Sequence, residues 1–386
     1  MKVCQYIPHG SIPDVRGFAP SIVAQMFYKY FSKEIEHYFV CNKEEYTKDE
    51  EKTEFGKVFR ISESKLYVRL FKKITKLDPY PLHIKLAKII NKNPVDILHV
   101  HQLEFPVNDF KKHLKNKNIK IIIHSHVMRK FDSSLGMPDK YIAVSNFTKE
   151  GLILDKGYPR EKIEVVYNGV NTNLFKLKTV DEIRILKKEF NIKEDSTIIS
   201  YIGRKQEKKG FYNSLKTFKY ILNKYNNVIC IAVGPTPYNA SESSQYKESI
   251  DIIKELEKNS RFINLPPLKH DKLSNIFNFS DIILFPTYAE QHPLVALEAI
   301  SSNNILISSN NSSLPEIIEN NKTGFLIENP KDLNQIIEIT EYVINNIDKL
   351  NDLRLKARNN AVNKFDWKIS SQKLEDIYKE VKKGSR

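Results

Sequence analysis

Short apolar runs alternate along this chain with longer stretches of helical periodicity, and this alternation constrains the fold more than any other feature. The runs are rich in β-branched residues and lack polar alternation, which is typical of strands buried on both faces of a parallel sheet. The predicted strands are 3–7, 38–41, 97–100, 119–123, 141–144 and 163–166 in the first half, and 198–202, 228–233, 262–265, 282–285 and 305–308 in the second. The repeated βα units predict a doubly wound α/β architecture.

The alternation is interrupted at about 171–195, where a charged stretch contains no strong strand. We place the joint between two domains there, which suits a chain of 386 residues because one domain typically has about 100 to 200. The predicted domains are residues 1–172 and 173–366, both Rossmann-like and doubly wound, facing a central cleft. Ligands of such sheets bind at the carboxyl ends of the strands.

The charge balance favours an anionic partner. Lys and Arg number 61 against 47 Asp and Glu, a net charge of +14, which favours nucleotides, nucleic acid or an anionic membrane surface. The three cysteines, Cys4, Cys41 and Cys230, form neither a CxxC pair nor a disulfide framework, so a reducing compartment is expected. No stretch reaches the roughly 18 apolar residues of a membrane span, and no signal peptide is evident. We therefore expect a cytoplasmic protein.

Almost all of the net charge lies in residues 57–130, where 17 cations accompany five acids. Within this stretch, residues 66–74 intersperse Tyr, Phe and Leu with cations and form an amphipathic segment. Such segments dock on anionic lipid, at about 1 kcal/mol per cation near the surface. A solvated lysine-rich face is the alternative interpretation.

Two cations follow the strand predicted at 198–202. Gly203-Arg204 comes directly after the strand, and Lys209 precedes Gly210, where a helix is expected to begin. Two fixed positive charges beside a helix N-terminus make a diphosphate site. A solvated loop is the alternative, because the loop is generally basic.

Two glutamates, Glu290 and Glu298, follow the strand predicted at 282–285. Pro293 suits the first turn of a helix, which would place Glu290 in a loop and Glu298 more than a turn inside the helix. A loop carboxylate can reach the hydroxyls of a bound sugar, and a helix carboxylate can accept two hydrogen bonds from a ribose diol. Two ordinary surface glutamates are the alternative.

Four histidines end two successive predicted strands: His99 and His101 end one, and His124 and His126 end the next. They can supply a general base, anion contacts or metal ligands. Against a metal site, no carboxylate or cysteine lies at a recognisable ligand spacing, and the chain has no Asp-x-Asp pair. Packing between strand and helix is the alternative.

A long loop containing Gly10 and Gly17 follows the first strand. Glycine lets the backbone approach a ligand closely, and ordinary loop flexibility is the alternative. The spacing is not G-x-G-x-x-G, so a dinucleotide fingerprint is absent.

In this order, the segments resemble the retaining glycosyltransferases of family 4, which have the GT-B fold, over nearly the whole chain. Residues 203–210 are similar to the family's G-R-x4-K-G element, and residues 290–298 are similar to its E-x7-E element. Three further segments, 143–148, 166–175 and 308–326, are similar to family segments at the matching positions. Each similarity is weak alone, and together they are specific because the order is kept.

The resemblance implies donor-side roles. Arg204 and Lys209 would hold the donor's diphosphate and neutralise the leaving nucleoside diphosphate, Glu298 would bind the ribose, and Glu290 would contact the sugar. The remaining implied donor positions are Gly17 in a loop near the phosphates, Gly203, Leu268 beside the base, and the backbone amides of Leu294 and Val295.

On the acceptor side, His126 best matches a family histidine near the sugar, with His124 as the alternative and His101 as a further candidate. The expected catalytic residues are thus His126, Glu290, Arg204 and Lys209. A C-terminal helix at about 367–383 is expected to pack back on the first domain.

The resemblance implies transfer of a hexose or N-acetylhexosamine from a nucleotide sugar, with a UDP-sugar preferred, to a lipopolysaccharide, O-antigen, capsule or lipid-linked glycan. No cofactor or metal is expected, and the basic first half would hold the protein at the inner face of the cell membrane. Departures from the family at His292, 302–304 and 310–313 put the donor sugar in question. The alternatives are a GT-B-like nucleotide-sugar epimerase and a nucleic-acid-binding protein. The second is disfavoured because no recognition helix, RNP pattern or zinc module is present.

Overall fold

The chain forms two compact units. The computed structural model describes residues 1–14, 17–62, 65–75, 81–236 and 244–384. The first unit comprises Met1–Asn168 together with the segment that begins at Trp367, and the second comprises Gly169–Asp366.

The first unit is built on a parallel sheet. Its elements are β1 (Lys2–Ile7), α1 (Ala19–Tyr30), β2 (Glu36–Asn42), β3 (Glu50–Thr53), β4 (Gly56–Ile61), α2 (Lys65–Thr75), α3 (Leu82–Lys92), β5 (Ile97–Val100), α4 (Val107–Lys112), β6 (Lys120–Ser125), β7 (Lys140–Ala143), α5 (Asn146–Leu154) and β8 (Ile163–Val165). Among the described residues, the eight strands have the order β3-β4-β2-β1-β5-β6-β7-β8. All neighbours are parallel except β3 and β4. Every residue of β5 is buried, as expected for a central strand covered on both faces.

The second unit repeats this plan. Its elements are α6 (Val180–Glu189), β9 (Thr197–Ile202), α7 (Phe211–Lys224), β10 (Val228–Val233), α8 (Ser244–Leu256), β11 (Phe262–Leu265), α9 (His270–Phe279), β12 (Ile282–Phe285), α10 (Leu294–Ser301), β13 (Ile305–Ser309), β14 (Phe325–Ile327), α11 (Leu333–Asn345) and α12 (Asn351–Lys364). In the described part of this unit, the six parallel strands have the order β11-β10-β9-β12-β13-β14. This is the Rossmann order, in which the first strand lies in the middle.

The last helix, α13 (Trp367–Lys383), belongs to the first unit. The Trp367 ring packs edge-on against Phe27 of α1, with the ring centroids 5.3 Å apart. The buried carboxylate of Glu375 accepts hydrogen bonds from the backbone nitrogen (2.5 Å) and the hydroxyl (3.0 Å) of Ser32. Apolar packing and a satisfied buried charge together fix this helix on the unit.

The N-terminal segment of the first unit ends at Asn168, slightly before the boundary predicted at 172. Arg358 of α12 accounts for the difference, because its guanidinium donates hydrogen bonds to the backbone oxygens of Thr172 (3.0 Å) and Phe175 (2.6 Å). Thr172, the last residue of the predicted first domain, is therefore bound to the second unit. A contact across so many residues leaves no periodic signal in the sequence.

Within the described ranges, no helix has both the length and the apolar composition that crossing a membrane requires.

Candidate active site

The two central strands of the second sheet define where its loops converge. β9 and β12 pair with each other, and the chain then continues from β9 to β10 on one side and from β12 to β13 on the other. Ligands of open α/β sheets bind outside the carboxyl ends of the strands at such a switch point. The loops that follow Ile202 and Phe285 are therefore the place to look for a site.

The loop after β9 exposes Arg204. Gly203 has a φ of +152° and Gly210 a φ of +72°, conformations that favour glycine. Between them, Arg204 is exposed, and no ion pair or side-chain hydrogen bond joins it to the described residues. The Tyr201 hydroxyl donates to the Arg204 backbone oxygen (2.6 Å), which fixes the backbone but leaves the guanidinium available.

A neighbouring cation of the same loop has a different environment. Lys205 is buried, and its ammonium donates to Asn264 Oδ1 (2.7 Å) and to the backbone oxygen of Leu265 (3.0 Å). Burial lowers the pKa of Lys205, because desolvation disfavours the charged form. Lys205 therefore joins the loop to β11, whereas Arg204 and Lys209 are the cations predicted to bind an anion.

The loops after β9 and β12 are in direct contact. A Cβ atom on Gly210 would lie 2.0 Å from the backbone oxygen of Pro286, so only glycine fits. The backbone oxygen of Lys208 accepts hydrogen bonds from Thr287 Oγ1 (3.1 Å) and from the backbone nitrogen of Tyr288 (2.9 Å). These contacts place the start of α7 beside the chain that leads to α10.

Lys209, which is predicted to bind phosphate, and Glu290, which is predicted to contact the sugar, form an ion pair. The Lys209 ammonium donates to Glu290 Oε1, and both side chains are largely buried. The backbone oxygen of Glu290 accepts from the backbone nitrogen (3.3 Å) and the hydroxyl (3.2 Å) of Ser313, which holds the loop in place. An anion bound beside Lys209 would compete with Glu290 for the ammonium group.

The second glutamate lies inside α10, as its spacing predicted. Glu298 is 4% exposed, and its Oε1 lies 2.9 Å from Nε2 of His270, the first residue of α9. His270 was not predicted, although it lies two positions after Leu268, a predicted donor-side residue that is half-buried in the loop before α9.

Two helices present their N-termini at this edge of the sheet. Leu294 and Val295 begin α10 after Pro293, which provides no side-chain cap within the described residues. α7 likewise begins after Gly210 without a side-chain cap. Backbone N–H groups and the helix dipole make such N-termini suited to anions.

One residue that departs from the family pattern lies beside this loop. His292 is buried, with its ring 5.5 Å from that of Phe365. Burial lowers the pKa of His292 to about 3, so the imidazole is neutral near pH 7.

The remaining predicted residues belong to the first unit. Gly17 is exposed with a φ of +66°, and its backbone nitrogen donates to Asp14 Oδ2 (2.7 Å).

The predicted histidines lie at the ends of β5 and β6. His101 Nδ1 lies 3.0 Å from His126 Nε2, and His101 Nε2 lies 2.9 Å from Gln5 Oε1. Gln5 was not predicted, because its only signal is a polar residue within the apolar run of β1.

The histidines of this group are neutral. Burial lowers the pKa of His126 to about 3 and holds those of His101 and His124 well below the usual value, and neighbouring imidazoles lower the latter two further. His126, itself only half-buried, can therefore donate or accept a hydrogen bond at neutral pH but does not present a positive charge.

The predicted site residues thus form one group in each unit. The structure gathers Gly203, Arg204, Lys209, Leu268, Glu290, Leu294, Val295 and Glu298 around one edge of the second sheet, whereas Gly17, His101, His124 and His126 belong to the first unit.

Two family models match successive parts of the chain. Glycosyltransferase Family 4 matches residues 22–174, and Glycosyl transferases group 1 matches residues 182–361.

The chain is also similar to individual relatives and to a solved structure. The lipopolysaccharide 1,2-N-acetylglucosaminetransferase of Salmonella typhimurium is 26% identical over 83% of this chain and 82% of its own. The capsular polysaccharide biosynthesis glycosyltransferase CapM of Staphylococcus aureus is 28% identical over 63% of this chain and 62% of its own. The crystal structure of Anabaena Alr3699/HepE in complex with UDP and glucose has a TM-score of 0.78, at 16% identity, over 98% of this chain and 100% of that one.

Two Rossmann-like α/β units with this topology have the GT-B fold. The two family models together span most of the sequence, and the chain belongs to family 4 of the glycosyltransferases. The predicted fold class, family and enzyme class are therefore confirmed. The comparisons do not favour the two alternatives, an epimerase and a nucleic-acid-binding protein.

The close contact between the loops after β9 and β12 predicts that Gly210→Ala destabilises the protein. A methyl group there meets the Pro286 backbone oxygen in addition to the strain of a positive φ, so the variant should lose more stability than a glycine with open space around it. Gly157 has a φ of +78° and nothing within 4 Å of its Cβ position, which makes Gly157→Ala the control. We expect Gly210→Ala to lower the free energy of unfolding by about 1 to 3 kcal/mol more than the control does. Urea unfolding followed by circular dichroism measures this difference, and equal losses would contradict the close approach.

Proposed function

We propose that this glycosyltransferase transfers a hexose or N-acetylhexosamine from a UDP-sugar, with retention of the anomeric configuration, to a bacterial surface glycan: lipopolysaccharide, O-antigen, capsule or a lipid-linked glycan. The observation that carries the proposal is the arrangement of Arg204, Lys209, Glu290 and Glu298 at the switch point of the second sheet. Relatives named for lipopolysaccharide and capsule synthesis support the acceptor class, and a structural neighbour in complex with UDP and glucose supports the donor class.

Stabilisation of the leaving group is the main chemical task. When the bond between the anomeric carbon and the diphosphate oxygen breaks, its electron pair stays on the diphosphate and positive charge develops on the sugar. Fixed cations and helix N-termini aimed at the developing negative charge can supply the largest catalytic term. Arg204, Lys209 and the N-termini of α7 and α10 provide these groups, and in this proposal no metal ion is required for the leaving group.

Diphosphate binding would redistribute the existing ion pair. As Lys209 turns to the diphosphate, the Glu290 carboxylate becomes free to accept hydrogen bonds from hydroxyls of the donor sugar. Glu298 accepts hydrogen bonds from the ribose diol, and the amides of Leu294 and Val295 donate to the phosphate or ribose. Because Lys209 and Glu290 are already paired, each reaches its new partner by a small movement.

The first unit supplies the remaining candidates. His126 is proposed to contact the reacting sugar through a neutral imidazole, with His101 and His124 as acceptor-side candidates and Gly17 as the flexible point of a loop near the phosphates. A glycan or glycolipid, and not a nucleic acid, is the proposed macromolecular partner.

Thermal unfolding with UDP, GDP, ADP and dTDP tests donor binding. A nucleotide present at 100 times its dissociation constant adds about 2.7 kcal/mol of stability, which raises the melting temperature by several degrees in a protein of this size. We expect UDP to give this shift equally with Mg²⁺ and with EDTA, and Glu298→Ala to abolish it.

The control for this experiment is Glu338→Ala, which removes an exposed glutamate on α11 of the same unit and should keep the full shift. A UDP shift retained by Glu298→Ala, or seen only with Mg²⁺, would contradict the proposed donor site. A shift with another nucleotide alone would assign a different base.

Sugar transfer itself is tested by incubating the chain with UDP-glucose or UDP-N-acetylglucosamine and a truncated lipopolysaccharide acceptor. Removing one group that stabilises the leaving diphosphate should lower kcat about 10²- to 10³-fold. Arg204→Ala should show this loss, whereas Lys219→Ala, which removes a cation of α7 paired with Glu255 of α8, should not. Nuclear magnetic resonance of the product should show the anomeric configuration of the donor. Conversion of the donor to its epimer without acceptor would contradict glycosyl transfer.

Peripheral attachment to an anionic membrane is the second part of the proposal. On α2, Leu66, Leu70 and Ile74 are 73%, 54% and 81% exposed. In the sequence these apolar residues are interspersed with cations, in the stretch that carries most of the net charge. An exposed apolar stripe with flanking cations suits the interface of an anionic bilayer, where lipid-linked acceptors lie. The proposed location is therefore the inner face of the cell membrane.

Flotation with vesicles of phosphatidylethanolamine and phosphatidylglycerol tests the attachment. The double variant Leu70→Glu/Ile74→Glu should lose binding at low salt, because charged residues replace the apolar contacts. Leu154→Glu is the control, since Leu154 is 74% exposed on α5 of the same unit and should be neutral. If wild-type protein does not float, or the double variant floats equally well, α2 is not a membrane anchor.

A further inference from the structure

Three side chains of the first unit form a hydrogen-bond network that ends at the histidine proposed to contact the sugar. Gln5 Oε1 lies 2.9 Å from Nε2 of His101, and Nδ1 of His101 lies 3.0 Å from Nε2 of His126. Gln5 and His101 are buried, and His126 is half-buried. Gln5 lies in β1, and the two histidines follow β5 and β6, the next two strands of the sheet, so the strand order sets their spacing.

Ring stacking holds the two histidines of this network in place. The His126 ring lies 4.4 Å from the His124 ring and 5.3 Å from the His101 ring, centroid to centroid, with interplanar angles of 23° and 16°. The His101 ring also stacks on that of His99, at 4.5 Å. Rings packed face to face cannot turn without moving their neighbours, so each ring nitrogen keeps its direction.

The imidazoles of the network are neutral near pH 7. Within the part of the chain that the structure describes, no carboxylate pairs with His101 or His126. A positive charge on either ring would lie against neighbouring imidazoles without a counter-ion, which desolvation disfavours. In a neutral imidazole one nitrogen carries the hydrogen and donates, and the other has a lone pair and accepts. A bond at one nitrogen therefore fixes the role of the other.

The direction of the hydrogen bonds follows from the amide oxygen of Gln5. This oxygen can only accept, so Nε2 of His101 carries a hydrogen and donates to it. Nδ1 of His101 then has the lone pair, and Nε2 of His126 carries the hydrogen of the second bond. Nδ1 of His126 is left with a lone pair. It forms no hydrogen bond with a described residue and is not enclosed by the protein, so a ligand can use it.

We propose that Gln5 and His101 are positioning residues that fix His126 in the tautomer with hydrogen on Nε2, so that Nδ1 accepts a hydrogen bond from a hydroxyl of the donor sugar. This inference rests on the proposed contact between His126 and the sugar, and it adds the direction of the hydrogen bond. A lone pair attracts a hydroxyl hydrogen and repels a carboxylate oxygen. The network therefore selects a sugar with a free hydroxyl at the contacted position over one with a carboxylate or no hydroxyl there.

Nuclear magnetic resonance of the ligand-free protein, labelled with ¹⁵N at histidine, tests the tautomer directly. Ring nitrogens with and without a hydrogen resonate far apart, and the variants His101→Gln and His126→Gln assign the two rings. Near neutral pH we expect hydrogen on Nε2 of both rings and a lone pair on both Nδ1 atoms. Hydrogen on Nδ1 of His126 would mean that the Gln5 amide donates and every bond is reversed, which would overturn the proposal, as would a charged ring.

The variant Gln5→Met tests the positioning role of the amide. Methionine has a similar length and no strong acceptor, so His101 is no longer confined to one tautomer. We expect a second population of His126 with hydrogen on Nδ1 in the same spectra. Gln372→Met is the matched control, since Gln372 is exposed on α13 of the same unit and its loss should leave the His126 signals unchanged. An unchanged His126 tautomer in Gln5→Met would contradict the positioning role, and the wild-type spectrum does not depend on how well this variant folds.

Deoxyfluoro analogues of UDP-glucose and UDP-N-acetylglucosamine test the contact with the sugar, because fluorine replaces a hydroxyl at similar size but cannot donate. Calorimetric titration with fluorine at each hydroxyl-bearing carbon in turn should find one position that weakens binding about 3- to 10-fold. His126→Ala should bind that analogue and the parent sugar nucleotide equally well. Equal losses in wild type and variant at every position would overturn the sugar contact. Absence of UDP binding would contradict the proposed function and the sugar contact with it, whereas the tautomer is decided by the ligand-free spectra alone.

Discussion

The close approach of the loops that follow β9 and β12 is the contact on which the candidate site depends. Because residue 210 has no side chain, α7 can begin directly against the Pro286 backbone oxygen. That approach brings Lys209 within reach of Glu290 and sets two helix N-termini at the same edge of the sheet. A larger residue at position 210 would separate the loops and, with them, the charges proposed to bind the donor.

Much of the fold could be predicted because strands covered on both faces lose their polar alternation. The predicted bounds of β5, β10, β11 and β12 agree with the structure residue for residue. β3, β4 and β14 were not predicted. β3 is a charged edge strand paired on one side only, β4 begins Gly-Lys and keeps polar residues in its run, and β14 has three residues, too few to show a period.

The candidate site could be predicted only where its residues are local in sequence. Arg204 and Glu290 were found because each follows a buried strand in a short, recognisable pattern. Partners distant in sequence were not found: His270 pairs with Glu298 on another helix, and the Tyr378 hydroxyl lies 2.5 Å from Nδ1 of His99, 279 positions away. Contacts of this kind arise from packing, and the chain carries no periodic or spacing signal for them. The Lys209–Glu290 ion pair was missed for the same reason, since sequence spacing assigns each group to a ligand and not to the other.

A crystal structure of the chain with UDP, grown without divalent cations, tests the central claim most directly. The account predicts that the diphosphate lies between Arg204 and Lys209, that the Lys209–Glu290 pair has opened, and that Glu298 accepts hydrogen bonds from the ribose. Diphosphate bound elsewhere, with the Lys209–Glu290 pair intact, would contradict the assignment of the donor site.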